Sequence, residues 1–144
     1  MKVSIIGATG YAGAELLRLL AGHPEAEIIH ITSESYTDRK IAEVYPHFSG
    51  LLDHSLESVE DIERIGADSD FLFIALPAGH AMEIGRKLRH QPVRIIDLGA
   101  DYRFHDTAVY EAWYKVKHTD PEADHVYGLA ELYREEIRGA RIIG

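Results

Sequence analysis

The segment that most restricts what this chain can fold into runs from Lys2 to Thr32. Lys2 to Ile6 is a short apolar run that stops at Gly7 and reads as a buried strand. Gly7-Ala8-Thr9-Gly10-Tyr11-Ala12-Gly13 then places a glycine at every third position. Beyond it Ala12, Leu16, Leu17 and Leu20 recur at helical spacing, with Glu15 and Arg18 facing away, until Gly22 and Pro24 stop the helix. Glu27 to Thr32 reads as a second strand. Strand, glycine turn, helix and strand within about 30 residues form the minimal βαβ unit, whose strands lie parallel.

A glycine turn between a strand and a helix N-terminus is also what a pyrophosphate requires. The first glycine permits the tight turn, the middle one lets the backbone approach the phosphates, and the last lets the helix pack close to the strand. The helix end adds free N–H groups and a partial positive charge. The spacing here, Gly-x-x-Gly-x-x-Gly, is one residue longer in its first gap than the commonest fingerprint. A structural tight turn would use glycines too, but the strand–turn–helix setting favours the nucleotide. Gly7, Thr9, Gly10, Tyr11, Ala12 and Gly13 are therefore candidate cofactor contacts.

The rest of the chain continues the alternation. Ser33 to His54 is polar, with a short helix expected near Ile41 to Val44, and Ser58 to Ile65 reads as a helix capped by Ser58 with Asp61 three residues on. Phe71 to Leu76 is the most apolar run and reads as a central parallel strand buried on both faces. Pro77-Ala78-Gly79 breaks it, and Ala81, Ile84 and Leu88 mark the buried face of the next helix. Val93 to Leu98 is a fourth strand. Val109, Ala112, Trp113 and Val116 line one side of a further helix, with Tyr110, Trp113 and Tyr114 read as core, and Ala140 to Ile143 is a fifth strand. With no repeat or linker, residues 1–144 read as one dinucleotide-binding domain: α/β, of Rossmann type, with a doubly wound and mainly parallel sheet.

The end of the second strand selects the nucleotide. NAD sites place an acid there, about 20 residues after the turn. This chain has Thr32-Ser33, then Ser35, Arg39 and Lys40. Hydroxyls and cations suit a 2′-phosphate, so Ser33, Ser35 and Arg39 are candidates for holding NADP. Glu34 leaves NAD open, and Arg39 and Lys40 read equally well as solvated loop charges. Tyr36 and Lys40 form a Tyr-x-x-x-Lys pair of the short-chain dehydrogenase kind, but in the wrong loop, and are read as coincidence. Leu76, Pro77, Ala78 and Gly79 follow the central strand and are expected beneath the nicotinamide.

Composition excludes other classes. The 15 basic and 24 acidic residues leave a net charge of −9 with no basic stripe, which argues against nucleic acid and anionic membrane as partners. No apolar run approaches the roughly 18 residues of a membrane span. A strand starting at Lys2 leaves no room for a signal peptide, so the cytoplasm is expected. The chain has no cysteine, hence no disulfide, thiolate metal site or cysteine nucleophile. His47, His80 and His118 lack ligand spacing, and no metal is expected.

Several segments together resemble the N-acetyl-γ-glutamyl-phosphate reductase family: the glycine turn, Glu43-Val44-Tyr45-Pro46-His47, Ala75-Leu76-Pro77-x-Gly79, Asp97-Leu98-Gly99-Ala100-Asp101-Tyr102-Arg103, Tyr110-x-x-Trp113-Tyr114, Tyr127-Gly128-Leu129 and Glu131. The resemblance covers essentially the whole chain. It implies an NADPH-dependent, homo-oligomeric enzyme of arginine biosynthesis. There a cysteine thiolate attacks a small acyl phosphate, phosphate leaves, and hydride reduces the thioester to a semialdehyde. The family's cysteine motif follows the strand that Arg141-Ile142-Ile143 resembles, and its catalytic histidine lies in a second, catalytic and dimerisation domain. No catalytic residue is therefore assigned within residues 1–144, and the fragment alone is expected to be inactive.

Arg103 is the candidate substrate residue, because it follows a strand end and a guanidinium grips phosphate in paired hydrogen bonds. The competing reading is an ion pair with Asp97, Asp101 or Asp106. Tyr127 and Glu131 are read as orienting groups or as a packed tyrosine and a helix-start carboxylate. Ala78 and Ala130 depart from the histidine and proline frequent in the family. An aspartate-semialdehyde dehydrogenase, a carrier-linked aminoadipyl-phosphate reductase and a non-catalytic nucleotide sensor are the alternatives.

Overall fold

The computed structural model describes all residues, Met1–Gly144. The first strand, β1 (Lys2–Ile6), runs into the glycine turn and α1 (Tyr11–Leu20), and β2 (Glu27–Ile31) returns beside it. A pinned loop follows, holding α2 (Ile41–Val44) and a 3₁₀ turn at Pro46–Phe48. Next come α3 (Ile62–Asp68), β3 (Phe71–Ile74), α4 (Ala81–Lys87), β4 (Arg94–Asp97) and α5 (Thr107–Tyr114), then β5 (His125–Val126), α6 (Ala130–Gly139) and β6 (Ile142–Ile143). All neighbouring strands are parallel, in the order β2-β1-β3-β4-β6-β5. The order reverses between β1 and β3. Open α/β sheets bind ligands at the carboxyl ends of the strands at such a switch point.

Helices cover both faces of the sheet. Ile6, Leu72, Ile74, Ile95 and Ile142 pack one face against Ile62 and Ile65 of α3 and Ala81 and Ile84 of α4. Ile5, Ile28 and Ile31 pack the other face against Leu17 of α1 and against Ile41, Phe48, Leu52 and Leu56 of the long loop. Ile5 and Ile6 point to opposite faces because strand side chains alternate. The run from Phe71 behaves likewise, with Leu72 and Ile74 on one side and Phe73 on the other. No helix is long and apolar enough to cross a membrane.

Four expectations change. Ala12 is exposed; α1 buries Gly13 and Leu17 instead, because the helix sits too close to the turn for a larger residue at 13. The Ser58 hydroxyl does cap, accepting from the Glu60 N–H at 3.2 Å, but it opens a 3₁₀ turn at Val59–Asp61 and Asp61 makes no reciprocal bond. The stretch at Ala140 to Ile143 is the sixth strand. Two-residue β5 is too short to show a period, and α6 buries no residue fully, with Ile137 half-buried.

The fourth change concerns α5. Val109, Ala112 and Trp113 are exposed, Trp113 by 76%, while Tyr110 is buried as expected. Tyr110 goes inside because Asp101 accepts its O–H at 2.7 Å, supplying the partner a buried phenol needs. Lys115, left-handed at φ 57°, ends the helix before Val116 can join it.

Candidate functional site

The glycine turn is built by backbone crowding. Gly7 leaves β1 at φ +82°, and a Cβ there would lie 2.6 Å from the Ala75 carbonyl oxygen. A Cβ on Gly13 would lie 2.2 Å from the Gly7 oxygen, so the helix rides directly on the turn. Gly10 is different: a Cβ there meets nothing closer than 3.5 Å. The turn is tied to β2 by the Gly7 N–H donating to Thr32 Oγ1 at 3.2 Å and the Ala8 N–H to the Thr32 carbonyl at 2.9 Å. Gly10 caps α1 without any side-chain acceptor, and the first turn carries no acid. The first N–H groups of the helix therefore stay open to an anion.

The second lip is the end of β2. Thr9 Oγ1 and Ser33 Oγ share a hydrogen bond of 2.7 Å across the cleft. The Ser33 N–H donates to the Glu57 carbonyl at 3.1 Å. Burial acts to raise the Glu57 carboxyl, but hydrogen bonds to Arg64 and His30 outweigh it and hold it below the ordinary carboxylate range. Between the lips lies a cleft of about 300 Å³.

Of the candidate residues, Gly7, Thr9, Gly10, Ser33, Ser35, Leu76 and Pro77 line this cleft. Tyr11, Ala12, Gly13, Ala78, Gly79 and Arg39 do not. Tyr11 stands fully in solvent at the helix start. Arg39 pairs with Glu43 at 3.2 Å and lies 5.6 Å over the Tyr36 ring, while Lys40 pairs with Asp53. Tyr36 and Lys40 thus form no couple. Three lining residues were not singled out as contacts from sequence: Glu34, weighed only as the NAD-type acid, Ala75 just before Leu76, and His80, whose signal is its place just after Pro77-Ala78-Gly79. The open helix end, the glycines that no Cβ can replace and the paired hydroxyls fit a dinucleotide's phosphates and ribose.

The loop after β3 is held by a buried carboxylate. Asp101 accepts the Gly79 N–H at 2.7 Å through Oδ1, and the Ala81 and Met82 N–H groups at 2.9 and 3.3 Å through Oδ2, capping α4. Neighbouring Asp97 accepts the N–H groups of Gly99, Asp101 and Tyr102. Burial, with the Asp101 charge adding to it, pushes Asp97 up to about 6 despite those bonds. Burial likewise pushes the Tyr102 and Tyr110 phenols up, with acceptors at Asp120 and Asp101 respectively.

Arg103 makes none of the ion pairs considered for it. Its guanidinium donates to the Gly99 carbonyl at 3.1 Å and the Tyr114 hydroxyl at 3.4 Å. It lines a second cleft, of about 280 Å³, with Asp97, Tyr127 and Gly144 at the carboxyl ends of β4 and β6. Tyr127 thus joins Arg103, whereas Glu131 is exposed in the first turn of α6 and outside that cleft. Both clefts open at the same edge of the sheet.

Comparison with known proteins agrees with this geometry. Residues 2–140 match the family described as semialdehyde dehydrogenase, NAD binding domain. The chain is 47% identical over 99% of its length to N-acetyl-gamma-glutamyl-phosphate reductase of Desulforamulus reducens, and 48% identical over 99% to the protein of that name in Pelotomaculum thermopropionicum. It spans 42% of the length of each of these relatives. Among solved structures, aspartate semialdehyde dehydrogenase from Francisella tularensis superposes with a TM-score of 0.66, at 17% identity over 100% of this chain and 36% of that one. The Candida albicans enzyme, solved with NADP, gives 0.61 at 22% identity over 74% of this chain and 31% of its own. These structures share the fold. The chain belongs to the semialdehyde dehydrogenase NAD-binding domain family.

Proposed function

We propose that residues 1–144 are the NADP-binding domain of an N-acetyl-γ-glutamyl-phosphate reductase whose catalytic and dimerisation parts lie outside these residues. The observation that carries this reading is the 43–48% identity, over 99–100% of the chain, to relatives of that one name. The whole protein is read as a cytoplasmic homo-oligomer acting on a small acyl phosphate in arginine biosynthesis, with neither nucleic acid nor membrane as a partner.

NADPH, when bound, supplies the hydride. The chain's own residues hold and orient it. Open N–H groups at Tyr11, Ala12 and Gly13 receive the pyrophosphate, and Gly7 and Gly10, without side chains, let it approach the turn. Thr9, Ser33 and Ser35 present hydroxyls to the ribose. Arg39 turns from Glu43 to the 2′-phosphate, an exchange that costs little because an exposed pair is worth only about 0–1 kcal/mol. Leu76, Pro77, Ala78 and Gly79 support the nicotinamide end. Arg103, free of carboxylate partners, grips the substrate phosphate from the neighbouring cleft. The cysteine nucleophile that the resemblance implies is not among these residues.

Calorimetric titration tests the cofactor assignment: NADP⁺ should bind about tenfold tighter than NAD⁺ or better. Tighter NAD⁺ binding would reassign the lip to Glu34. For the activity, the complete gene product should reduce N-acetylglutamyl phosphate with NADPH, and these residues alone should turn over nothing. Reduction of aspartyl phosphate or of a carrier-linked aminoadipyl phosphate in its place would establish an alternative. The solved aspartate enzymes share only 17–22% identity with this chain, which ranks them second.

A further inference from the structure

Tyr45 lies outside the cleft, yet its hydroxyl donates to the carbonyl of Thr9, 36 residues away, at 2.7 Å. We propose that this hydroxyl is a positioning group that presets the phosphate turn for the dinucleotide, which makes the long loop after β2 the second support of the cradle.

The bond falls on a decisive peptide. The Thr9 carbonyl and the Gly10 N–H belong to one rigid plane. Tyr45 holds the carbonyl end, and the Gly7 carbonyl accepts the Gly10 N–H at 3.1 Å at the other. Fixing both ends sets the tilt of Gly10, the cap of α1, and so the direction of the open N–H groups that follow it. From the helix side only the Ala14 N–H holds Gly10, through its carbonyl at 2.9 Å, which leaves the Thr9–Gly10 peptide to these two bonds. Gly10 has the widest backbone freedom of any residue type and no side-chain cap. The Thr9–Ser33 bond holds only the Thr9 side chain. Left to itself, such a turn would have to be ordered by its ligand, at a cost in affinity.

The loop is rigid enough to serve as an anchor. The Tyr45 ring meets Phe48 edge-on, at 6.3 Å and 80°. Phe48, Ile41 and Leu52 are buried in the same cluster as Ile5 of β1 and Leu17 of α1. Backbone bonds from Ile41 to His54 and between Asp38, Arg39 and Leu56 close the base of the loop. Tyr45 therefore reaches the turn from the very core on which β1 and α1 rest.

The inference depends on the dinucleotide reading, and its test separates the two. Tyr45→Phe keeps the ring and deletes only the hydroxyl. NADP⁺ affinity should fall about five- to tenfold, the worth of one hydrogen bond. Adenosine 2′-monophosphate, which has the ribose phosphate but no pyrophosphate, should lose less than about twofold. Tm should drop by no more than about 4 °C. In the ligand-free protein the Gly10 and Ala14 amides, bonded to the Gly7 and Gly10 carbonyls, should exchange faster with solvent, a readout that needs no cofactor. Equal losses for both ligands, or an unchanged NADP⁺ affinity, would overturn the proposal. If the parent binds no dinucleotide but the amides loosen in the variant, the cofactor reading fails while the turn-ordering contact stands.

Discussion

Asp101 reaches back 22 residues to accept the Gly79 N–H at 2.7 Å, and through the same carboxylate it caps α4 and receives the Tyr110 hydroxyl. One buried acid thus joins the loop after the central strand, the following helix and α5. Asp101→Ala would leave three N–H donors and a phenol without partners. Unfolding in urea should show a loss of about 3–5 kcal/mol. A loss below about 1 kcal/mol would mean that water or a rearranged loop replaces the carboxylate.

The glycines of the turn divide into two kinds. At Gly13 an added Cβ would sit 2.2 Å from the Gly7 oxygen and 2.8 Å from Ala8 Cα, both rigid backbone. Gly13→Ala should cost about 3 kcal/mol of stability, as overpacking of a rigid site does. At Gly10 the nearest atom would be 3.5 Å away, so Gly10→Ala should fold with a loss of only about 1 kcal/mol. Yet its methyl would point into the cleft where phosphates must approach, and NADP⁺ binding should vanish. Comparing melting curves with titrations for the two variants checks the division, and a Gly10→Ala protein that binds normally would refute it.

Asp97 should leave a signature in the pH dependence of stability. Its carboxyl ionises near 6 in the folded chain against 3.8 in the reference state, so the folded form holds the proton more tightly. Its contribution is therefore most favourable below about pH 4 and is lost as pH rises toward and past 6, by about 3 kcal/mol. Glu57, held low, acts in the opposite sense, with stability lost as the pH falls through its own range. Unfolding Asp97→Asn beside the parent isolates the first effect. The parent's advantage should shrink by about 3 kcal/mol between about pH 4 and pH 7, and a constant difference across that range would contradict it.

Arg103 provides a test of the division between the two clefts. Because it forms no carboxylate pair, Arg103→Leu should change stability by less than about 1 kcal/mol and leave NADP⁺ affinity unaltered. In the complete enzyme the same change should raise KM for the acyl phosphate at least about tenfold, the loss of a charge-assisted phosphate contact. Weakened NADP⁺ binding would move Arg103 to the cofactor side.

Much of this architecture was legible from local pattern. Gly7, Gly10 and Gly13 announce the turn, and the runs at Lys2–Ile6, Phe71–Leu76 and Val93–Leu98 mark three of the parallel strands, which form over Lys2–Ile6, Phe71–Ile74 and Arg94–Asp97. Local pattern stops where a side chain's partner lies elsewhere in the chain. Periodicity on α5 pointed to Val109, Ala112 and Trp113, but burial followed Tyr110, whose hydroxyl alone had a buried acceptor waiting. Arg39 and Lys40 read equally as phosphate ligands or solvated charges, and their pairing with Glu43 and with Asp53, 13 residues from Lys40, is a tertiary matter.

The sequence by itself determined the alternation of strands and helices and the place of the phosphate turn, because both follow from residue spacing within a few turns of chain. Only the tertiary structure decided that Asp101 governs Gly79, that Tyr45 holds Thr9, and that Arg103 stands without an acidic partner. The physical reason is that the partner of a hydrogen-bonding side chain is set by which strand ends the sheet order brings together. That order is a property of the whole core, and no short stretch of residues carries it.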